Sequence, residues 1–314
     1  MNVVDAVNAT QASTFLEARF GSAVSAATPI AEGEWSKAFG FERAGTLYVI
    51  RFSAIEEDFA KDRLAAHYAS PELPIPQIDE IGDAFGGFYA ISRRAPGGYL
   101  DVLGGAQLRA TLPSFFAMLD AARRVDLSAS KGYGGWDANG AASHSSWRAA
   151  LLDIGHDQPE DRVHGWRERL ASSSIGCGPF DQALEQLRSL VDACPEDRHL
   201  IHSDLLHFNV LVTGDRISAV IDWGCAMYGD FLYDVAWFAF YWPWFPAWRD
   251  IDFLDEVARH YDAIGIRVPD MDTRLRCYQV HVGLGDQIWN AFKGNWAAIE
   301  AGARRTLEVA RAAA

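Results

Sequence analysis

The chain has 314 residues, 49% of them apolar, enough for one large domain or for two lobes around a cleft. A net charge of −14 argues against a nucleic-acid binder, which needs excess Lys and Arg to hold phosphates, and suits a cationic small molecule. No stretch nears the ~20 apolar residues of a membrane span, and residues 1–21 lack the pattern of a signal peptide. Cys177, Cys194, Cys225 and Cys277 form neither a C-x-x-C pair nor a zinc-spaced set. They are expected to be reduced, mostly buried thiols of a cytoplasmic protein, with a monomer as the default state.

In chain order, 10–20 reads as a short helix closed by Gly21. Alternating β-branched and aromatic residues predict strands over 37–42, 46–52, 77–81 and 87–92. Between the second and third, 55–70 reads as a helix with Ser53 as its cap. Ala95-Pro96-Gly97-Gly98 reads as a hinge between a strand-rich lobe, 1–95, and a mainly helical lobe, 96–314. In the second lobe, 108–125, 147–154, 166–172 and 180–193 read as helices, and Gly132–Trp136 as a loop. Further helices are expected over 230–240, 252–263 and 272–292. The fold class is α+β.

The chemistry concentrates in 199–240. Asn209 opens the apolar run 210–212, Thr213-Gly214-Asp215 supplies a turn, and the run 217–221 returns to Asp222. A hairpin would set Asn209 and Asp222 side by side, with Asp204 in the loop just before. Three oxygen-bearing side chains would then converge, as magnesium prefers. His202-x-Asp204-x-x-x-x-Asn209, followed by Asp222, matches the catalytic loop and metal-binding Asp of kinases: Asp204 as base, Asn209 and Asp222 as ligands of Mg2+. His202 reads as a brace for the loop rather than a proton carrier.

The ordered segments EGEWSKAF, YVIRF, FAKDR, LPIP, ISRRAPG, HSDLLHFNVL, AVIDWGCAMYGD and LRCYQVHVGLGDQ cover the chain from Glu32 to about Asn295. Together they resemble the aminoglycoside phosphotransferase family, and within it the branch that acts on hygromycin B. The resemblance implies a protein-kinase-like two-lobe fold, with a small antiparallel sheet lobe and a mainly helical lobe. It implies ATP or GTP as donor, with Arg51 in the place of the usual phosphate-pairing lysine and Asp62 as its acidic partner. Ser36 and Lys37 are candidates for the phosphates, and Arg93 to Ala95 for the adenine; Trp35 reads as packing. Asp230, in the segment GDFLYD, is taken as support for the catalytic loop.

On the acceptor side, Tyr241 and Trp244 match aromatic positions of that branch and are expected to stack on sugar rings. Asp126, Asp286 and Gln287 are candidates for the amines and hydroxyls of the antibiotic. Phe208, His207 and Gly224-Cys225 depart from the branch beside the acceptor, and so bear on which aminoglycoside is used. The implied activity is phosphorylation of hygromycin B, at its 4-hydroxyl if the resemblance extends so far. A kinase of another small alcohol (a macrolide, choline or homoserine) and a non-catalytic kinase-like binder are the alternatives.

Overall fold

The computed structural model describes residues 7–312. The ends of the two expected lobes, 1–6 and 313–314, lie outside this range, as does the start of the segment read for a signal peptide.

Helix α1 (Ala9–Phe20) opens on a reciprocal cap between Asn8 and Gln11 and buries Ala12 and Leu16. Strands β1 (Thr28–Glu32), β2 (Ser36–Arg43), β3 (Thr46–Ser53), β4 (Ile78–Ala84) and β5 (Gly87–Arg93) form one antiparallel sheet, ordered β1-β2-β3-β5-β4. The β2–β3 and β4–β5 turns are Ala44-Gly45 and Phe85-Gly86, left-handed at both positions, as tight two-residue hairpins require. Phe39, Phe41, Ile50, Phe52 and Ile91 pack with α1 into a core of their own. Helix α2 (Glu56–Ala65) follows β3; Ser53 Oγ accepts from the Ile55 amide, but no side chain caps the helix, contrary to expectation.

After residues 94–97 comes β6 (Gly98–Tyr99). Gly97 has φ 116° and sits so close to the Val212 carbonyl that a Cβ would stand 2.5 Å from it; only glycine fits. Helix α3 (Gly105–Arg123) leads to β7 (Tyr133–Trp136) and β8 (Ala142–His144). The 132–136 stretch is thus largely a strand, not a loop. Its glycines conceal the alternation, and pairing with β12 (Met227–Gly229) defines it.

Helices α4 (Trp147–Asp153), α5 (Trp166–Ser172) and α6 (Gly178–Leu190) precede β9 (His199–Ile201). Strands β10 (Val210–Thr213) and β11 (Arg216–Val220) form the expected hairpin, and β10 also pairs with β6. Helices α7 (Leu232–Tyr241) and α8 (Phe253–Ala263) follow, then α9 (Met271–Lys293) and α10 (Trp296–Arg311). The last of these was not foreseen. Buried α9 is the axis of the second lobe, packed on α6, α7 and α10. Cys277 lies in this core, whereas Cys177 and Cys194 are half-buried and Cys225 is exposed. No described helix is long and apolar enough to cross a membrane.

Candidate active site

The hairpin does what its spacing predicted. Val210 pairs with Val220, and the Ile221 amide donates to the Asn209 carbonyl at 2.9 Å, so Asn209 and Asp222 leave the open end together. Asn209 Nδ2 donates to the Asp204 carbonyl (2.9 Å) and to Asp204 Oδ2 (3.1 Å). Its side-chain Oδ1 is the atom left over for a cation. Asp204, Asn209 and Asp222 therefore share one corner.

That corner is braced from behind. The buried Asp234 carboxylate accepts the His202 amide at 2.9 Å and the Ser203 amide at 2.8 Å. His202 Nε2 donates to the Ile221 carbonyl (2.9 Å), and its Nδ1 accepts the Asp204 amide (3.2 Å). The bonds fix one tautomer and join the loop to the strand before Asp222, the bracing role expected of His202. Asp230 is differently placed than expected. It takes Arg274 through two bonds (2.9 and 2.7 Å) and the Tyr278 hydroxyl (2.5 Å), tying the start of α7 to α9; Asp234 supports the loop.

A cleft of about 630 Å³ runs from Arg93–Ala95 to this corner. Ile30, Ala38, Val49 and Ile78 face it from the sheet, Leu211 and Ile221 from the hairpin, and Arg93 to Ala95 close its back. The apolar side chains that face this part of the cleft suit the ring of a nucleotide base. At the polar end, Arg51 pairs with Asp62, whose other oxygen accepts the Trp223 amide at 2.7 Å. Burial works against the Arg51 charge, but Asp62, Asp222 and Asp58 outweigh it and hold the guanidinium above its usual range. Ser36 lines the cleft. Lys37 does not: strand alternation sends it away from Ser36 and Ala38, and it pairs with Glu32 at 3.1 Å.

The crowding of negative charge is the electrostatic signature of the corner. Desolvation, with Asp62 and Asp204 nearby, pushes the Asp222 carboxyl up to about 6, although Arg51 and His202 oppose the shift. A divalent cation would offset this excess. One carboxylate and one amide oxygen, completed by phosphate oxygens, match the sparse protein ligation Mg2+ prefers.

Next to the corner stands an aromatic and acidic wall. His207 Nδ1 lies 2.8 Å from Asp204 Oδ1, and its ring leans edge-on against Tyr241 (5.2 Å) and Trp237 (6.2 Å). The Tyr241 hydroxyl donates to Asp286 Oδ1 at 3.1 Å, which also accepts from Asn290 Nδ2 at 3.1 Å. Trp244, 45% exposed, meets Tyr241 edge-on at 5.9 Å. Burial pushes the Asp286 carboxyl up to about 6 against the pull of Tyr241, His207 and Asn290. Burial opposes charge on His207 too, but Asp204, Asp101 and Asp286 overcome it and raise the imidazole.

Residues 31–274 match the phosphotransferase enzyme family, APH. The chain belongs to that family. It is 34% identical over 297 residues to the hygromycin-B 4-O-kinase of Escherichia coli, covering 92% of this chain and 82% of the relative. The fold superposes on the aminoglycoside phosphotransferase APH(4)-Ia with a TM-score of 0.85 at 34% identity, over 98% of this chain and 100% of that one. A thermostable mutant of the same enzyme, in a ternary complex with AMP-PNP and hygromycin B, gives a TM-score of 0.83 at 33% identity, over 95% and 97% of the two chains. The spectinomycin phosphotransferase APH(9)-Ia shares only the fold, with a TM-score of 0.62 at 15% identity over 98% of each chain.

As a phosphotransferase of kinase-like fold, the chain departs from its sequence reading mainly on the acceptor side. Asp126 is exposed beyond α3 and accepts the Ser128 amide at 2.9 Å, making no contact with the wall. Gln287, one residue past Asp286 on α9, points elsewhere. It is 1% exposed and donates to the Gly283 carbonyl (3.1 Å) and Thr306 Oγ1 (3.5 Å), inside the α9–α10 interface. Sequence reasoning missed Asp101, whose carboxyl burial raises and whose charge acts on His207, and Trp237 and Asn290. Asp101 follows the hinge in an unpatterned stretch, so only the fold could place it.

Proposed function

We propose that this phosphotransferase moves the γ-phosphate of a purine nucleoside triphosphate to a hydroxyl of an aminoglycoside, hygromycin B before others, and by analogy with its relative at the 4-hydroxyl. Such phosphorylation would confer resistance, since added negative charge weakens a cationic drug's hold on RNA. The observation that carries the reading is the junction of Asp204, Asn209 and Asp222 with a wall of Tyr241, Trp244 and Asp286.

The cleft takes the base between Val49 and Leu211 against Arg93 to Ala95; Ser36 and Arg51 meet the phosphates, and Asp62 fixes Arg51. Asn209 and Asp222 would hold Mg2+, which neutralises charge on the phosphates when bound. Tyr241 and Trp244 receive the faces of sugar rings, and Asp286 takes an amine. Asp204 accepts the proton of the attacking hydroxyl. The transition state is loose, so alignment and charge neutralisation supply most of the catalysis. On this reading the chain divides at 95–98 into a nucleotide-binding lobe and a catalytic lobe, and works as a cytoplasmic monomer.

The test is nucleoside-diphosphate release by the purified chain with Mg-ATP or Mg-GTP against hygromycin B, kanamycin, a macrolide, choline and homoserine. Turnover with hygromycin B, abolished in Asp204→Asn while nucleotide binding persists, is the expected result. Turnover only with a non-aminoglycoside alcohol would overturn the substrate, and an active Asp204→Asn would overturn the base.

A further inference from the structure

His207 occupies a position that sequence reasoning could describe only as a departure. It has φ 61° and is followed by Phe208 at φ 71°, two successive non-glycine residues in the left-handed region. Such backbone costs free energy and persists only where surrounding contacts over-determine it. The contacts are present. Phe208 meets Tyr99 edge-on with centroids 5.2 Å apart, and His207 leans on Tyr241 and Trp237. The strained pair delivers one result, Nδ1 of His207 at 2.8 Å from Asp204 Oδ1. Asn209 holds the other carboxylate oxygen at 3.1 Å, so the two residues together fix the plane of that carboxylate.

We propose that His207 is a positioning residue that sets the Asp204 carboxylate for the acceptor hydroxyl and couples it to the aromatic wall. The inference rests on the reading of Asp204 as the base. Both the imidazolium and the Nδ1–H tautomer donate toward the carboxylate, so the role does not depend on the charge of the ring. An acceptor packed on Tyr241 therefore meets a carboxylate oriented by the same wall. A shift of the carboxylate by about 1 Å is enough to lose on the order of 10²-fold in rate.

Three variants of the full chain test this, with kcat, the KM of ATP and of hygromycin B, and the melting temperature measured on each. His207→Leu removes the donor and should lower kcat by about 10- to 100-fold with the KM of ATP nearly unchanged. His207→Asn keeps a donor and tolerates left-handed backbone, so it should recover most of the turnover. His207→Gly relieves the backbone but lacks the donor; it should keep its melting temperature and still lose turnover as Leu does. Wild-type or faster turnover in His207→Leu, or failure of Asn alongside Leu, would overturn the proposal. Asp204→Asn runs in parallel: if it stays active the base reading itself has failed, and if it is dead while His207→Leu is not, only this inference has.

Discussion

Trp35 and Trp289 meet edge to face, their centroids 6.1 Å apart at 62°. Beside them Glu34 pairs with Lys293 at 2.5 Å, and the Lys293 ammonium lies 5.9 Å from the Trp289 centroid. The loop from Glu32 to Ser36, at the phosphate end of the cleft, is thereby fastened to the last turns of α9, the helix that also carries Asp286. On the proposed reading, one helix serves both substrates. Trp35 does pack, as its sequence suggested, but on the opposite lobe.

The first prediction concerns that fastening. Aromatic pairs of this kind contribute about 0.5–1.5 kcal/mol beyond area burial. Trp35→Ala should therefore raise the KM of nucleotide and of acceptor by roughly 3- to 10-fold, with little change in melting temperature. Lys293→Glu sets two acids together in a half-exposed position and should cost only about 2- to 5-fold, less at high salt. Steady-state kinetics at low and high ionic strength check both. Loss of stability without a change in KM would reduce the contact to packing.

The second concerns Arg51. Its guanidinium holds Asp62 while Asp62 holds the amide of Trp223, so one carboxylate joins β3 to the segment that follows Asp222. Arg51→Lys keeps the charge but loses the planar fork, and should raise the KM of ATP by roughly tenfold, about one charge-assisted hydrogen bond. Asp62→Asn leaves the Arg51 charge without its partner and should cost about 3 kcal/mol of stability as well. Isothermal titration with ATP and urea unfolding separate the two effects.

The catalytic hairpin was legible because its signal is local: two apolar runs, one turn and three polar side chains at set distances along the chain. The acceptor wall was only half legible. Tyr241 and Asp286 were named for aromaticity and charge, but neither property says which of Asp286 and Gln287 faces Tyr241; α9 turns Gln287 through about 100° into the interface with α10. Asp126 had the right chemistry and the wrong place in the fold. Strands β6, β7, β9 and β12 have two to four residues each and are defined by partners distant in sequence, so no periodicity could announce them.

Asp230 and Asp234 show the same limit, four residues apart in one segment. Asp234→Asn keeps an acceptor for one amide and loses the charge that holds the His202 and Ser203 amides; kcat should fall at least tenfold with a modest loss of stability. Asp230→Asn leaves the Arg274 guanidinium in the core without a counter-charge and should cost about 3–5 kcal/mol. Denaturant unfolding beside steady-state turnover distinguishes a brace of the loop from a tie between helices. Equal stability losses would argue against this division of labour.

Trp244 separates substrate contact from packing. It is 45% exposed while its neighbour Tyr241 is largely covered, so truncation leaves little cavity. Trp244→Ala should raise the KM of hygromycin B by roughly tenfold and leave that of ATP within about twofold. Equal effects on the two substrates would assign the ring to the fold.

Asp286 should trade stability for binding, with a sign set by its carboxyl at about 6. In the unfolded chain that group titrates near 3.9, so between about pH 4 and 6 the folded protein keeps a proton that the unfolded chain has released. Its contribution to stability is thus fully present below about pH 4 and is lost as the pH rises through 6. Asp286→Asn abolishes the titration and keeps an acceptor for Tyr241 and Asn290. The variant should match the parent melting temperature near pH 4 and exceed it by about 2 °C at pH 8. It should also raise the KM of hygromycin B, since an amide cannot neutralise an ammonium group. A variant that gains no stability at pH 8 would mean that the carboxylate is already compensated by the protein, and an unchanged KM would remove Asp286 from the acceptor site.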